Sequence, residues 1–248
     1  MEIEAVLFDI YGTLLFALEE SIRIRSEIIS DFLKEHDIDA DPETISLTSA
    51  HRMIEFSRGE FDDVCEYFGA VISDITGRGE FDDAFMKGLV EVGALESEAE
   101  LSPNVIETLD ELKETGIKLG IVSNSPCFYA MRDLEALGIR DYFDAFGVSS
   151  RWGIIKPDPE IFLKAASSLG VTPNLILVVG NDPVDDVEGA KLSGMRSALL
   201  LNSIDGMWST NRTVFGESEE EVDFEPDYII DDLCEILTII RSERSQDI

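Results

Sequence analysis

Apolar positions along the chain fall into two regimes. From about residue 101 onward, short β-rich runs alternate with segments whose apolar residues recur every three or four positions. That alternation predicts βαβ units built on a parallel sheet. Residues 3–8 form an apolar run that ends at Asp9-Ile-Tyr-Gly-Thr13. Ser102-Pro103 reads as a helix start, and Val105, Ile106, Leu109 and Leu112 continue at helical spacing up to a stop at Gly116. Further strands are predicted at 118–122, 145–148, 175–179, 197–201 and 228–230, with helices at 128–137, 159–169, 184–193 and 231–240. Residues 242–248 read as a frayed tail.

The stretch from about 15 to 100 lacks strand-like runs and is patterned as helix, as in Ile22, Ile24, Ile28, Ile29, Phe32 and Leu33. The simplest organisation is an α/β core of residues 1–15 and 101–248 with a helical insert of 16–100. Within the insert, Arg-Gly-Glu-Phe-Asp-Asp occurs at 58–63 and again at 78–83. Two copies are too few for a solenoid. A duplicated helix start with Phe61 and Phe81 packed inward accounts for them, and an acidic patch is the alternative.

Composition narrows the setting. The 248 residues carry 52 Asp+Glu against 19 Lys+Arg, a formal charge of -33. So many carboxylates repel one another at low ionic strength. At ~1 M salt the Debye length shrinks to about 3 Å and the repulsion largely disappears, which points to a halophilic, high-salt interior. No basic patch is present to meet phosphates, so nucleic acid is not an expected partner. No apolar run approaches the roughly 20 residues of a membrane span. The acidic start is unlike a secretory signal, and Cys65, Cys127 and Cys234 form no close pair. A soluble, cytoplasmic protein acting on a small molecule is expected. Asn211-Arg-Thr213 matches a glycosylation pattern that has no bearing in that setting, and 217–223 is an acidic surface run.

In an open parallel sheet, reactive groups gather beyond the carboxyl ends of the strands. The residues that follow the predicted strands are Asp9 and Thr13, then Ser123-Asn124, then Lys156-Pro157, then Gly180-Asn-Asp-Pro-Val-Asp-Asp186. Each has an ordinary structural use: turn former, helix cap, solvated lysine, or acids at a helix start. Together, in chain order, they bring a carboxylate, hydroxyls, an ammonium and an acidic cluster to one crevice. That set suits attack by Asp9 on an anionic or polarised electrophile, with Thr13 and Ser123 donating hydrogen bonds and Lys156 offsetting charge.

The ordered set resembles the four motifs of the haloacid dehalogenase superfamily, over residues 1–15 and 101 to about 240. The resemblance implies a three-layer Rossmann-like α/β core with a mostly parallel sheet and an inserted helical cap domain. It implies Asp9 as a nucleophile that forms an aspartyl ester, Thr13, Ser123 and Asn124 around the transferred group, and Lys156 holding the charges in register. In the phosphatases of the superfamily, acids of the fourth motif join the nucleophile around Mg²⁺. Asp9, Asp182 and Asp186 are the matching candidates here, and Asn181 stands where an Asp is usual. Position 11 is Tyr where phosphatases carry a leaving-group acid, and Asp-x-Tyr-Gly-Thr is similar to the metal-independent 2-haloacid dehalogenases. That branch has a Tyr at the position of Phe162 and a cap arginine for which Arg23 and Arg25 are loose candidates. The resemblance therefore implies a Mg²⁺-dependent phosphomonoester hydrolase. Its alternatives are a 2-haloacid dehalogenase and a ligand- or partner-binding relative with little turnover.

Overall fold

The structure is a computed structural model that describes residues 2–17, 19–94, 99–201 and 224–245. Its sheet is parallel and six-stranded, in the order β5 (Ala145–Val148), β4 (Lys118–Ser123), β1 (Ala5–Phe8), β6 (Ile176–Gly180), β7 (Arg196–Leu200) and β8 (Tyr228–Ile230). Ala5 is in register with Lys118 on one side and with Ile176 on the other, which puts β1 at the centre. All four residues of β1 are fully buried. An unbroken apolar run of this kind is what a central strand covered on both faces requires.

Helices supply both covers. On one face, α5 (Val105–Glu114), α6 (Cys127–Ala136) and α10 (Glu235–Ser245) bring Leu109, Leu112, Leu134 and Ile236 against Val6 and Phe8. On the other, α8 (Pro159–Leu169) packs Ile161, Phe162 and Ala165 on Ala5, Leu7 and Val178. The result is the α/β three-layer core expected from the alternating pattern.

The helical insert leaves through β2 (Leu15–Ala17) and returns through β3 (Ala99–Leu101), which pair antiparallel with Leu15 opposite Leu101 and Ala17 opposite Ala99. These strands are absent from the sequence expectation because three residues carry too little period-two signal. Between them lie α1 (Glu19–Glu35), α2 (Pro42–Ser57), α3 (Val64–Thr76) and α4 (Asp83–Gly93), gathered around Leu33, Ile45, Tyr67, Phe68 and Leu89. The duplicated hexapeptide proves to be a helix start used twice. Asp63 Oδ1 accepts from the backbone N–H of Cys65 and of Glu66 at the head of α3, and Asp82 Oδ1 accepts from that of Phe85 at the head of α4. Phe61 packs on Phe56 and Tyr67, and Phe81 stacks on Phe85. Tyr129 of α6 joins this apolar cluster from the core side and meets Phe56 edge-on at 6.4 Å. Because α6 follows the carboxyl end of β4, the cap sits over that edge of the sheet.

Three boundaries differ from the sequence expectation for local reasons. Helix α5 begins at Val105 and not at Ser102, because Asn104 adopts a left-handed φ of 59° that breaks the run. The helix expected at 184–193 is divided into a π-helical turn, Pro183–Glu188, and the short α9 (Gly189–Leu192). Helix α10 starts at Glu235, whose side chain accepts from the N–H groups of Asp231 and Asp232 and fixes the preceding turn. It continues to Ser245, so the described part of the expected tail is helical. Residues 211–213 and 217–223 lie outside the described residues. Among the described residues no helix is long and apolar enough to cross a membrane.

Candidate active site

The carboxyl edge of the sheet brings most of the anticipated residues together. Asp9 follows β1 and its N–H donates to the Val179 carbonyl at 2.9 Å, which docks the first residue after β1 onto β6. The chain then turns sharply at Gly12, whose φ is 93°. A β-carbon there would come within 2.5 Å of the Asn181 side chain, so both the backbone angle and the close approach demand glycine. Asn181 faces that turn and accepts from the Thr13 hydroxyl at 3.4 Å, with Thr13 fully buried. Ser123 ends β4, is 2% exposed, and accepts a hydrogen bond from the Ser125 hydroxyl at 3.2 Å.

Lys156 is the hub. Its side chain is fully buried and its Nζ lies 2.7 Å from Asp9 Oδ1 and 2.6 Å from Asp186 Oδ1. Asn124 secures the backbone around it. The Asn124 Oδ1 accepts from the Lys156 N–H at 2.7 Å, and its Nδ2 donates to the Lys156 carbonyl and to Asp185 Oδ2. One amide at the end of β4 thereby joins the lysine loop to the acidic turn after β6. That role explains why Asn124 belongs to the site without needing to touch a reacting group.

The π-helical turn sorts the acids. Asp182 Oδ1 accepts from the N–H of Val184 and of Asp185, both at 2.8 Å, and caps the turn. Asp186 Oδ2 accepts from the Asp182 N–H at 3.0 Å while its Oδ1 faces Lys156. The turn crosses closely over β6, so a β-carbon on Gly180 would lie 2.0 Å from Asp186 Oδ2. Gly180→Ala is therefore expected to push Asp186 off Lys156, costing roughly 1–3 kcal/mol of stability. Denaturant unfolding of the variant against the parent measures that loss.

Tyr11 is held elsewhere: its hydroxyl donates to Asp133 Oδ2 of α6 at 2.5 Å. Burial, helped by the Asp133 charge, pushes the Tyr11 phenol well above its ordinary value of 10. Phe162 is a fully buried core residue against the Gly189 backbone and is not part of the site. Arg23 forms an exposed pair with Glu27, whereas Arg25 lies 6.0 Å from the centre of the Tyr129 ring. Asn181, which stands where an Asp is usual, instead faces the Gly12 turn and Thr13. Asp133 and Ser125 are the residues the sequence reading misses: Ser125 could have been found by its adjacency to a strand end, but Asp133 lies inside a helix and carries no such signal.

Burial governs the charges. It pushes Asp9 up to about 6, with Asp186 adding to the effect and Lys156 opposing it. It also pushes Asp185 up to about 7, with Lys156 opposing and the charges of Asp182, Asp186 and Asp9 reinforcing the rise. Burial disfavours the Lys156 ammonium, yet Asp186, Asp9 and Asp185 outweigh it and hold its pKa above the usual value. The lysine stays charged, and protons entering the cluster go to carboxyls. An acid whose folded pKa is raised contributes stability that is present below its unfolded pKa of about 4 and is lost as pH rises through about 7. Without divalent cations, Asp185→Asn should therefore raise stability by about 1–3 kcal/mol at pH 8 and hardly at all at pH 4. Chemical unfolding of both proteins at the two pH values checks the sign.

The haloacid dehalogenase-like hydrolase family model matches residues 3–194, which takes in Asp9, the whole insert, Lys156 and the acidic turn. The chain belongs to this family. A second, HAD-hydrolase-like model matches residues 154–236. Glyceraldehyde 3-phosphate phosphatase of Methanopyrus kandleri is 34% identical over 140 residues, 56% of this chain and 56% of that protein. The chain spans about half the length of the first curated relatives that it matches. Among solved structures, a HAD phosphatase from Thermococcus onnurineus is 27% identical with a TM-score of 0.64, covering 96% of this chain and 98% of that one. A 2-haloacid dehalogenase from Pseudomonas syringae pv. Tomato DC3000 shares the fold, with a TM-score of 0.71 at 22% identity over 97% of this chain and 99% of that one. The chain thus combines the α/β fold shared with these structures and a helical insert over the carboxyl edge of its sheet.

For a member of this family the fit of the acidic pocket to a divalent cation can be tested on its own atoms. Asp9 Oδ2 is buried and has no hydrogen-bond partner among the described residues. Three carboxylates, Asp9, Asp185 and Asp186, share the ammonium of Lys156, and the charge of Asp182 bears on Asp185. An oxygen-only donor set with surplus negative charge fits a hard cation such as Mg²⁺. Among the described residues, no three acidic, His or Cys side chains already converge on one point. Each acid of the turn has at least one oxygen committed to the protein: Asp182 Oδ1 caps the turn, both Asp186 oxygens are engaged, and Asp185 Oδ2 accepts from Asn124.

Proposed function

We propose that this chain is a Mg²⁺-dependent hydrolase of small phosphomonoesters that works through an aspartyl intermediate. The observation that carries the reading is the state of Asp9. One carboxylate oxygen is fixed by Lys156 at 2.7 Å, and the other is buried with no partner among the described residues. A carboxylate so oriented and stripped of water is a prepared nucleophile. Its free oxygen bonds to phosphorus as the phosphorus–oxygen bond of the ester breaks, and the electron pair leaves with the alcohol oxygen. Water then attacks the acyl phosphate, releases inorganic phosphate and restores Asp9. The Thr13 and Ser123 hydroxyls supply hydrogen bonds to the phosphoryl oxygens, and the Lys156 ammonium balances their charge. Bound Mg²⁺ would be held by Asp9 together with acids of the turn after β6, Asp182, Asp186 and the neighbouring Asp185, and would neutralise charge on the phosphoryl group.

The relatives named as phosphatases and the acidic turn favour phosphoryl transfer. Tyr11 favours a second reading, in which the same nucleophile displaces halide from a 2-haloacid without a metal. Its hydroxyl is engaged by Asp133, so it has no proton ready for a leaving group, and halide needs none. Under the phosphatase reading this shortfall has a measurable consequence. Aryl phosphates, which leave without help, should turn over about 10²–10⁴-fold faster than alkyl phosphates.

The deciding experiment compares phosphate release from aryl and alkyl phosphomonoesters with halide release from 2-chloropropionate. Both are run with and without Mg²⁺ in about 2 M KCl, because we read the charge of -33 as adaptation to a saline cytoplasm. Metal-dependent phosphate release supports the proposal. Metal-independent halide release replaces it with the dehalogenase, and silence in both assays points to a binding protein with little turnover.

A further inference from the structure

Asp133 is an acid on α6, 4% exposed, with no place in the nucleophilic chemistry. Its two oxygens serve different neighbours. Oδ2 accepts from the Tyr11 hydroxyl at 2.5 Å, and Oδ1 accepts from Arg132 Nε at 2.8 Å with Nη2 at 2.7 Å. The Arg132 guanidinium lies 4.9 Å from the centre of the Tyr129 ring. That ring is 7% exposed and sits in the cap's apolar cluster, edge-on to Phe56. Arg25 of α1 approaches it from the cap at 6.0 Å. A continuous series of contacts therefore runs from the loop that carries Asp9 to the cap.

We infer that Asp133 is a positioning residue that keeps the Asp9–Thr13 loop in register with the docked cap. The carboxylate form is required, since one acceptor oxygen must meet the tyrosine while the other meets the arginine. An amide at this position could satisfy only one of them. Loss of Asp133 would leave the Tyr11 hydroxyl buried without its acceptor and free the guanidinium to leave the ring. The role holds whichever electrophile Asp9 attacks.

The test is a cycle of the parent, Tyr11→Phe, Asp133→Ala and the double variant, read by two measurements. Amide hydrogen exchange needs no turnover. In Asp133→Ala it should rise together in the loop at 10–15 and in the cap segment at 53–67. Steady-state kinetics on whichever substrate the parent turns over should show kcat falling about 10–100-fold. In the Tyr11→Phe background the same replacement should lower kcat by less than about threefold, because the two residues act in series. Additive losses would overturn the inference, as would exchange rising around α6 alone with kcat at the parent level. If Asp133→Ala does not fold, Asp133→Asn carries the same cycle, since it keeps one acceptor. A parent silent in both assays would count against the proposed hydrolysis while leaving the exchange result to decide this inference.

Discussion

Asp9→Asn is expected to lower turnover by about 10⁴-fold or more while leaving the fold in place. The amide has nearly the volume of the carboxyl, and its oxygen can still accept from Lys156 Nζ, which retains Asp186 at 2.6 Å as a charged partner. What disappears is the second carboxylate oxygen, buried and without a partner among the described residues, that would bond to the electrophile. Turnover under the conditions that best support the parent, set beside the thermal midpoint of both proteins, separates chemistry from folding. Turnover near the parent level would remove Asp9 as the nucleophile. A collapsed midpoint would instead mean that its charge is structural.

The second large effect falls on stability. Lys156→Met should destabilise the protein by about 3–5 kcal/mol, because it leaves Asp9 and Asp186 facing each other in a dry site without a counter-charge. For a chain of this size that is a drop of roughly 10 °C in the unfolding midpoint. Two features distinguish this from a simple packing loss. The deficit should shrink as pH falls below about 6, where the carboxyls take up protons, and it should persist in 2 M KCl, because a buried pair is poorly screened. Adding Asp186→Asn to the variant should recover much of the loss. A deficit that vanishes in high salt would place the pair in contact with solvent.

The layered core and the four strand-end groups were legible in the sequence because each rests on a strong local pattern. Residues 5–8 are apolar without interruption, and Asp9, Ser123, Lys156 and Gly180 each close or follow a recognisable run. What escaped was set by contacts distant in sequence. The sequence singles out Asp182 and Asp186 by resemblance alone, and only the wide turn after β6 gives the three acids their separate work, Asp182 capping, Asp185 pairing with Asn124 and Asp186 facing Lys156. Tyr11 and Asp133 are 122 positions apart, so no spacing could have joined them. The repeat at 58–63 and 78–83 was legible as a duplicated helix start, and Asp63 and Asp82 are committed to that use.

The pairing of Ala17 with Ala99 brings the two ends of the insert to one strand spacing, about 4.8 Å. The core therefore experiences everything between them as if it were a hairpin turn. Its six-stranded sheet draws no strand from the insert, and the order of β1, β4 and β6 does not depend on how many residues lie beyond the ribbon. Asp9, Lys156 and the acidic turn all lie outside that excursion, after β1, before α8 and after β6. The strand order of the core and the helices of the insert are thus specified on separable stretches of one chain.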